Sequence, residues 1–254
     1  MITLISPAKK LDYESKVGTE EFTIPEGLER SALLINKLQK TSNKQIGELM
    51  DLSKNLVELN VERYASWTEN FTVGQTRQAL LAFKGDVYQG MKNDELSPNE
   101  LQFAQRHLRI LSGLHGLLRP LDLIKPYRLE MGTKLAVRGK KDLYGFWGDE
   151  ITNRVNLALE TSGNDTLCNL ASEEYFKAVN TKKLKATLIT PVFKDLKNGQ
   201  LKIISLYAKQ ARGMMAGYII RNGINAIEDI KGFSDGGYRY TTNLSDERTW
   251  VFTR

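Results

Sequence analysis

The chain has 254 residues, 41% apolar and 26% charged, enough for one large globular domain with a substantial core. Its single cysteine, Cys168, excludes an internal disulfide framework and fits a reducing cytoplasm, and no apolar run approaches the length of a bilayer-crossing helix. The net charge of +6 is unevenly spread. Residues 101–141 carry nine basic and two acidic side chains, and residues 177–212 carry nine basic and one acidic, so the remainder is net acidic. Such asymmetry predicts a surface for a polyanion.

Ile2–Ser6, ended by Pro7, reads as a buried opening strand followed by a polar loop, Ser6–Asp12. Residues 28–67 repeat apolar positions at helical spacing and are assigned to packing. Gln78–Tyr88 reads as a short strand opening into Lys84-Gly85-Asp86, a turn that brings two opposite charges near one point. Its spacing is not that of a phosphate loop, which excludes nucleotide hydrolysis by that route. Ser97-Pro98-Asn99-Glu100 is a helix start with a capping box. The helix it opens is expected to bury Leu101, Ala104, Leu108 and Leu111 and to present Arg106 and Arg109 outward.

Leu108–Gly132 then combines glycine turns at Gly113 and Gly116 with prolines at 120 and 126 and cations at Arg109, Arg119, Lys125 and Arg128. Tight turns with backbone N–H groups and arginines facing outward predict an anion site. Leu111–Leu118 resembles the turn of a helix-hairpin-helix module, which grips a DNA phosphate through backbone N–H groups, although its glycines are three apart instead of two. The module is expected near residues 98–126.

Further along, Asp142 opens an amphipathic helix with Leu143, Trp147, Ile151 and Val155 on one face, ended by Gly163. Thr166–Ala171 reads as a buried strand holding Cys168, followed by a helix capped by Ser172. Lys185–Phe193 and Gln200–Tyr207 are β-rich runs joined by Asn198-Gly199, a hairpin signal. A helix is expected from Ala208 to Arg221 with Lys209 and Arg212 in its first turn, where positive charge opposes the peptide dipoles unless an anion binds. Gly232–Arg254 reads as a terminal hairpin. With no repeat or linker, the expected fold is a single mixed α/β (α+β) domain spanning residues 1–254, with a basic cleft.

Two histidines and one cysteine supply no metal-ligand spacing, so no metal or cofactor is expected, and no known catalytic motif is present. SPAKKLD at Ser6–Asp12, AFKGDVYQG at Ala82–Gly90, the Leu108–Gly132 stretch, DLYGFW at Asp142–Trp147, NLASEEYFK at Asn169–Lys177 and YAKQARGMM at Tyr207–Met215 resemble the signature blocks of the YaaA family of bacterial peroxide-stress proteins. Lys10, commonly threonine there, and His115, commonly tyrosine, depart from that pattern. The resemblance implies a cytoplasmic protein that protects against hydrogen peroxide and restrains iron-driven damage, with an unusual α/β fold, a basic cleft and DNA binding.

Two functions follow as expectations. One is binding of double-stranded DNA through its backbone by Lys9, Lys84, Arg109, Arg119, Arg128, Lys209 and Arg212, with Gly113 and Gly116 shaping the hairpin. The other is an enzyme acting on a nucleotide, a nucleobase or another phosphorylated small molecule in the same cleft, with Ser6, Asp86, Glu130, Asn169 and Ser172 as its polar groups. Direct iron binding is a third and poorer fit to two histidines and scattered carboxylates. Oligomeric state is left open.

Overall fold

The computed structural model describes residues 1–71 and 74–254. The chain opens with strand β1 (Ile2–Ile5), every residue of it buried, as its mostly β-branched composition favours. Past Pro7 comes a two-residue strand, β2 (Lys10–Leu11). The helical region divides into α1 (Leu28–Gln39), α2 (Asn43–Met50) and α3 (Lys54–Ser66), with Ser42 and Gln45 forming a capping box that restarts the helix after α1. Next come β3 (Arg77–Gln78), the single helical turn α4 (Ala79–Ala82), β4 (Phe83–Lys84) and α5 (Asp86–Met91). The strand expected over Gln78–Tyr88 is therefore mostly helical, because Ala79-Leu80-Leu81-Ala82 contains strong helix formers and no β-branched residue. Within it only Gln78, the end of β3, and Phe83–Lys84 are strand, the latter paired antiparallel with β2 so that Lys84 stands opposite Lys10.

Helix α6 (Pro98–His107) starts as expected, with Ser97 and Glu100 capping each other. It ends four residues early. Leu108 and Leu111 belong instead to β5 (Leu108–Ser112), which turns back into β6 (Gly116–Leu118) with Ser112 opposite Gly116. The helix-hairpin-helix expectation is thus corrected: the glycines sit in and beside a turn between two strands. Periodicity alone does not separate a short buried strand from a helix segment. Pairing of Leu108, Arg109 and Ile110 with Thr3, Leu4 and Ile5 decides it.

The remaining elements are β7 (Leu123–Ile124), α7 (Leu143–Trp147), α8 (Glu150–Thr161), β8 (Thr166–Asn169), α9 (Glu173–Phe176), β9 (Thr187–Lys197), β10 (Gln200–Lys202), α10 (Ser205–Arg221), β11 (Arg239–Tyr240) and β12 (Thr249–Thr253). The single helix expected from Asp142 is broken at Gly148, whose φ is +53°, into α7 and α8, yet Leu143, Trp147, Ile151 and Val155 are all buried. The Asn198-Gly199 hairpin forms, both residues at positive φ. Eight strands make one sheet in the order β11-β12-β9-β8-β1-β5-β6, with β10 paired to β9. Strands β12, β9, β8, β1 and β5 are parallel neighbours. The chain is a single mixed α/β domain. From β1 it continues to β5 on one side and later to β8 on the other, so the winding reverses at β1. In open α/β sheets that reversal leaves a crevice at the carboxyl ends of the strands.

The turn after β5 belongs to the core. A Cβ on Gly113 would meet Leu129 O at 2.3 Å, and Gly116 has φ +70° with Trp147 against it. Trp147 Nε1 donates to Gly113 O (3.0 Å), and Ser112 Oγ lies 2.6 Å from the Tyr127 hydroxyl and accepts the His115 N–H (3.0 Å). Ser31 Oγ donates to Leu114 O (3.0 Å) and lies 3.1 Å from His115 Nδ1, so Nδ1 carries the ring proton. His115 Nε2 is buried without a partner among the described residues. Burial, with Arg154 nearby, pushes this histidine down to about 3.

The unfolded chain therefore binds a proton that the folded chain refuses as pH falls from 6.5 toward 3, and stability falls with it. Between pH 7 and pH 4.5 wild type is expected to lose about 2 kcal/mol more than His115→Gln in urea denaturation. Equal losses in the two proteins would contradict this role for His115.

Candidate functional site: a cleft at the carboxyl end of β1

Ser6 leaves β1 and Ser172 follows β8, and the two meet at the crevice. The Ser172 N–H donates to Ser6 Oγ (2.9 Å), and Ser6 Oγ in turn donates to Ser172 Oγ (3.2 Å). The Tyr88 hydroxyl on α5 donates to Ser6 O (3.1 Å). These bonds fasten the ends of two strands to one helix. Ser172 consequently spends its side chain on Ser6 and makes no side-chain cap to α9, contrary to its expected role. Among the described residues Ser6 Oγ bonds only to Ser172, and this pair orders the wall.

A cavity of about 530 Å³ opens over this point. One wall is the loop carrying Lys9 and Lys10, a second is the Lys84–Gln89 segment, and a third is the face of α10 bearing Lys209 and Arg212. Glu130 and Glu174 lie at its edge. The α10 wall is held close because glycines bring it into backbone contact with α5. A Cβ on Gly213 would stand 1.8 Å from Val87 O, and one on Gly90 would stand 2.2 Å from Gln210 O.

The charges in the cavity divide into occupied and unoccupied groups. Lys9 pairs with Glu130 (3.1 Å), which also holds Arg128 (3.0 Å). Lys84 pairs with Asp12 (3.1 Å). Asp12 accepts the backbone N–H of Ser15 (3.0 Å) and the Ser15 hydroxyl (2.7 Å) and lies 3.6 Å from Arg77, and Ser15 and Lys84 hold its carboxyl well below the usual carboxylate range. Among the described residues, the side chains of Lys10, Asp86, Lys209 and Arg212 line the cavity with no hydrogen bond or ion pair. Arg212 is partly buried, and that burial lowers its proton affinity. Helix α10 begins at Ser205, three residues before its expected start, so Lys209 and Arg212 stand beyond the first turn. The expected dipole penalty, which is confined to that turn, is corrected accordingly. Their unmet charge comes from the absence of partners.

Of the remaining expected site residues, Asn169 ends β8 outside the cavity lining, its side-chain oxygen accepting the Ala171 N–H (3.0 Å). Arg109 and Arg119 border a different and smaller depression of about 170 Å³. There Arg109 donates to Gln105 O (3.0 Å) and Leu108 O (2.7 Å). Arg119 donates to buried Asp122 from Nε (3.0 Å) and Nη2 (2.8 Å) and to Ile24 O (2.7 Å). These arginines, with Gly113 and Gly116, build structure and do not share the cleft. Arg128 sits behind Glu130 at the cleft edge. Residue-by-residue expectation missed Asp12, Tyr88 and Glu174. For Asp12 the signal was present, since a loop aspartate accepts the backbone N–H two residues on in an Asx-turn, as it does here from Glu14 (3.0 Å). The buried tyrosine gave none.

Cys168 is free and buried, and burial pushes its thiol up to about 12, so it carries no reactive thiolate. Among the described residues no group of three or more His, Cys, Asp or Glu could hold a metal ion, and no helix is long and apolar enough to cross a membrane.

Comparison with known proteins matches residues 1–244 to a family model described as peroxide stress protein YaaA. A UPF0246 protein of Ralstonia nicotianae is 53% identical over 254 residues, covering all of this chain and 99% of the relative. A UPF0246 protein of Ralstonia pickettii is likewise 53% identical, with the same coverage. The chain belongs to the YaaA/UPF0246 family.

Proposed function

We propose that the cleft binds a phosphorylated ligand of nucleotide size, and that this binding is how the chain serves the peroxide stress response in the cytoplasm and limits iron-driven damage. The observation that carries the proposal is Arg212, a partly buried guanidinium with no partner among the described residues, beside Lys209, which likewise has none among them. A desolvated cation costs free energy unless an anion meets it. Guanidinium suits the bidentate geometry of phosphate, and a neighbouring ammonium adds a second charge. The volume lies within the range of small-molecule sites.

Duplex DNA is the second source of the same phosphate. It is favoured by Lys9 and Lys84 at the rim, whose side chains are 63% and 57% exposed. Exposed ion pairs of this kind contribute only about 0–1 kcal/mol, so a phosphate can displace them. Arg109, Arg119 and the two glycines no longer support this source, because their groups are consumed internally.

Thermal unfolding with nucleoside monophosphates and, separately, with a short duplex distinguishes the two. A nucleotide at about a hundred times its Kd adds about 2.7 kcal/mol, a rise of roughly 5–10 °C in a chain of this size. Stabilisation by nucleotides is the expected result. Stabilisation by duplex alone, with log K falling by about 0.9 per neutralised phosphate as log salt rises, assigns the phosphate to DNA. If neither stabilises the protein, the cleft is not a phosphate site.

A further inference from the structure

Among the described residues the cleft holds a carboxylate without a partner as well as cations without one. Asp86 opens α5 and lines the same cavity as Arg212 on α10, and the two helices are in backbone contact through Gly213 and Gly90. Opposite charges on adjoining walls attract strongly at short range in a partly desolvated cavity. The Asp86 carboxylate nevertheless has no hydrogen bond or ion pair among the described residues, while Asp12 and Glu130 nearby each collect two cations. The backbone contacts at Gly213 and Gly90 leave no room for the two helices to pack closer. A ligand that complements the cavity must therefore supply an anion to Lys209 and Arg212 and N–H donors to Asp86.

A carboxylate accepts hydrogen bonds at two oxygens and donates none. The nucleobase edge that matches it is one with two adjacent N–H donors. Guanine has that edge in N1–H and its 2-amino group. Hypoxanthine offers N1–H alone, and adenine places the N1 lone pair beside its amino group, which a carboxylate repels. Resting on the proposed phosphate site, we infer that Asp86 is a specificity-determining residue that selects guanine nucleotides. Asp86 also lies in the first helical turn, where a carboxylate is favoured by the peptide dipoles, and a purely structural role of that kind has no effect on base preference.

Calorimetric titration of the full chain with guanosine, inosine and adenosine monophosphates and with ribose 5-phosphate tests this. Wild type is expected to bind the guanine nucleotide about thirtyfold or more tighter than the adenine nucleotide, with inosine between, since a polar site rejects ligands that leave its groups unpaired. Asp86→Asn is expected to bring the nucleotides to within about threefold of one another, because its amide both donates and accepts, while ribose 5-phosphate, which has no base, reports the effect of the lost negative charge alone. Equal binding of the three nucleotides to wild type, or a guanine preference that survives Asp86→Asn, overturns the role of Asp86 while the phosphate site stands. Failure of all four ligands to bind removes the phosphate site itself, and the inference with it.

Discussion

Arg212→Met is expected to weaken binding of a nucleoside monophosphate at least about a hundredfold while leaving the folded chain no less stable than wild type. Charge-assisted hydrogen bonds contribute about 1.5–3 kcal/mol, and a bidentate guanidinium–phosphate pair makes two of them. The unliganded protein gains nothing from that group, because Arg212 has no partner among the described residues and is partly desolvated. Exchanging it for an apolar side chain of similar length removes a cost. Arg119→Met should behave in the opposite way. Its guanidinium donates twice to Asp122, which is 1% exposed and whose pKa burial has raised. Removing that partner strands a buried carboxylate, at about 3 kcal/mol or more. Urea denaturation and calorimetry on the two variants should therefore dissociate: binding lost with stability kept at 212, stability lost with affinity kept at 119. Loss of affinity at 119 with none at 212 would relocate the anion site to the face that carries Arg109.

Gly213→Ala is expected to be among the most damaging single-methyl additions in the molecule. In an exposed helix this change stabilises by about 1 kcal/mol through backbone entropy. Here the new Cβ would lie 1.8 Å from Val87 O, 2.7 Å from Val87 C and 2.9 Å from Met91 N, all backbone atoms of α5 and unable to rotate away. Relief requires α10 and α5 to separate, at or above the upper end of the ~1–3 kcal/mol typical of overpacking, a fall in Tm of roughly 6–12 °C. The same separation moves Lys209 and Arg212 away from Asp86, so ligand affinity should fall as well. Gly18→Ala is the control, with nothing within 4 Å of its added Cβ, and should be near neutral. A Gly213→Ala protein with wild-type Tm would mean that the two helices are not held by backbone contact.

Much of the architecture was legible in the residues. The apolar β-branched run at Ile2–Ile5, the capping box at Ser97–Glu100 and the Asn198-Gly199 turn are local signals, and each forms what its chemistry dictates. The misreadings fall where long-range pairing decides. Leu108–Ser112 continues the helical spacing of α6, and only its partners in β1 make it a strand. The same step converts an expected phosphate-gripping hairpin into a buried turn, because sequence cannot reveal that the chain at Leu129 and the ring of Trp147 close over Gly113 and Gly116.

For the site, cationic residues were recognisable but their occupancy was not. Arg119 and Arg212 look alike in sequence. One is held by Asp122 three residues away, and the other has no partner among the described residues. Lys84, Asp86, Lys209 and Arg212, drawn from separate segments, do meet in one cavity with Ser6 and Ser172. Charge windows could not make that selection, since it depends on which arginines the fold consumes.

The phosphate site is tested most directly by a crystal structure of the protein soaked with guanosine monophosphate. The expected result is a phosphate within hydrogen-bonding distance of the Arg212 guanidinium and the Lys209 ammonium, with the base directed toward Asp86. A phosphate on the Arg109–Arg119 face, or an empty cleft at a concentration that saturates binding in calorimetry, would contradict it.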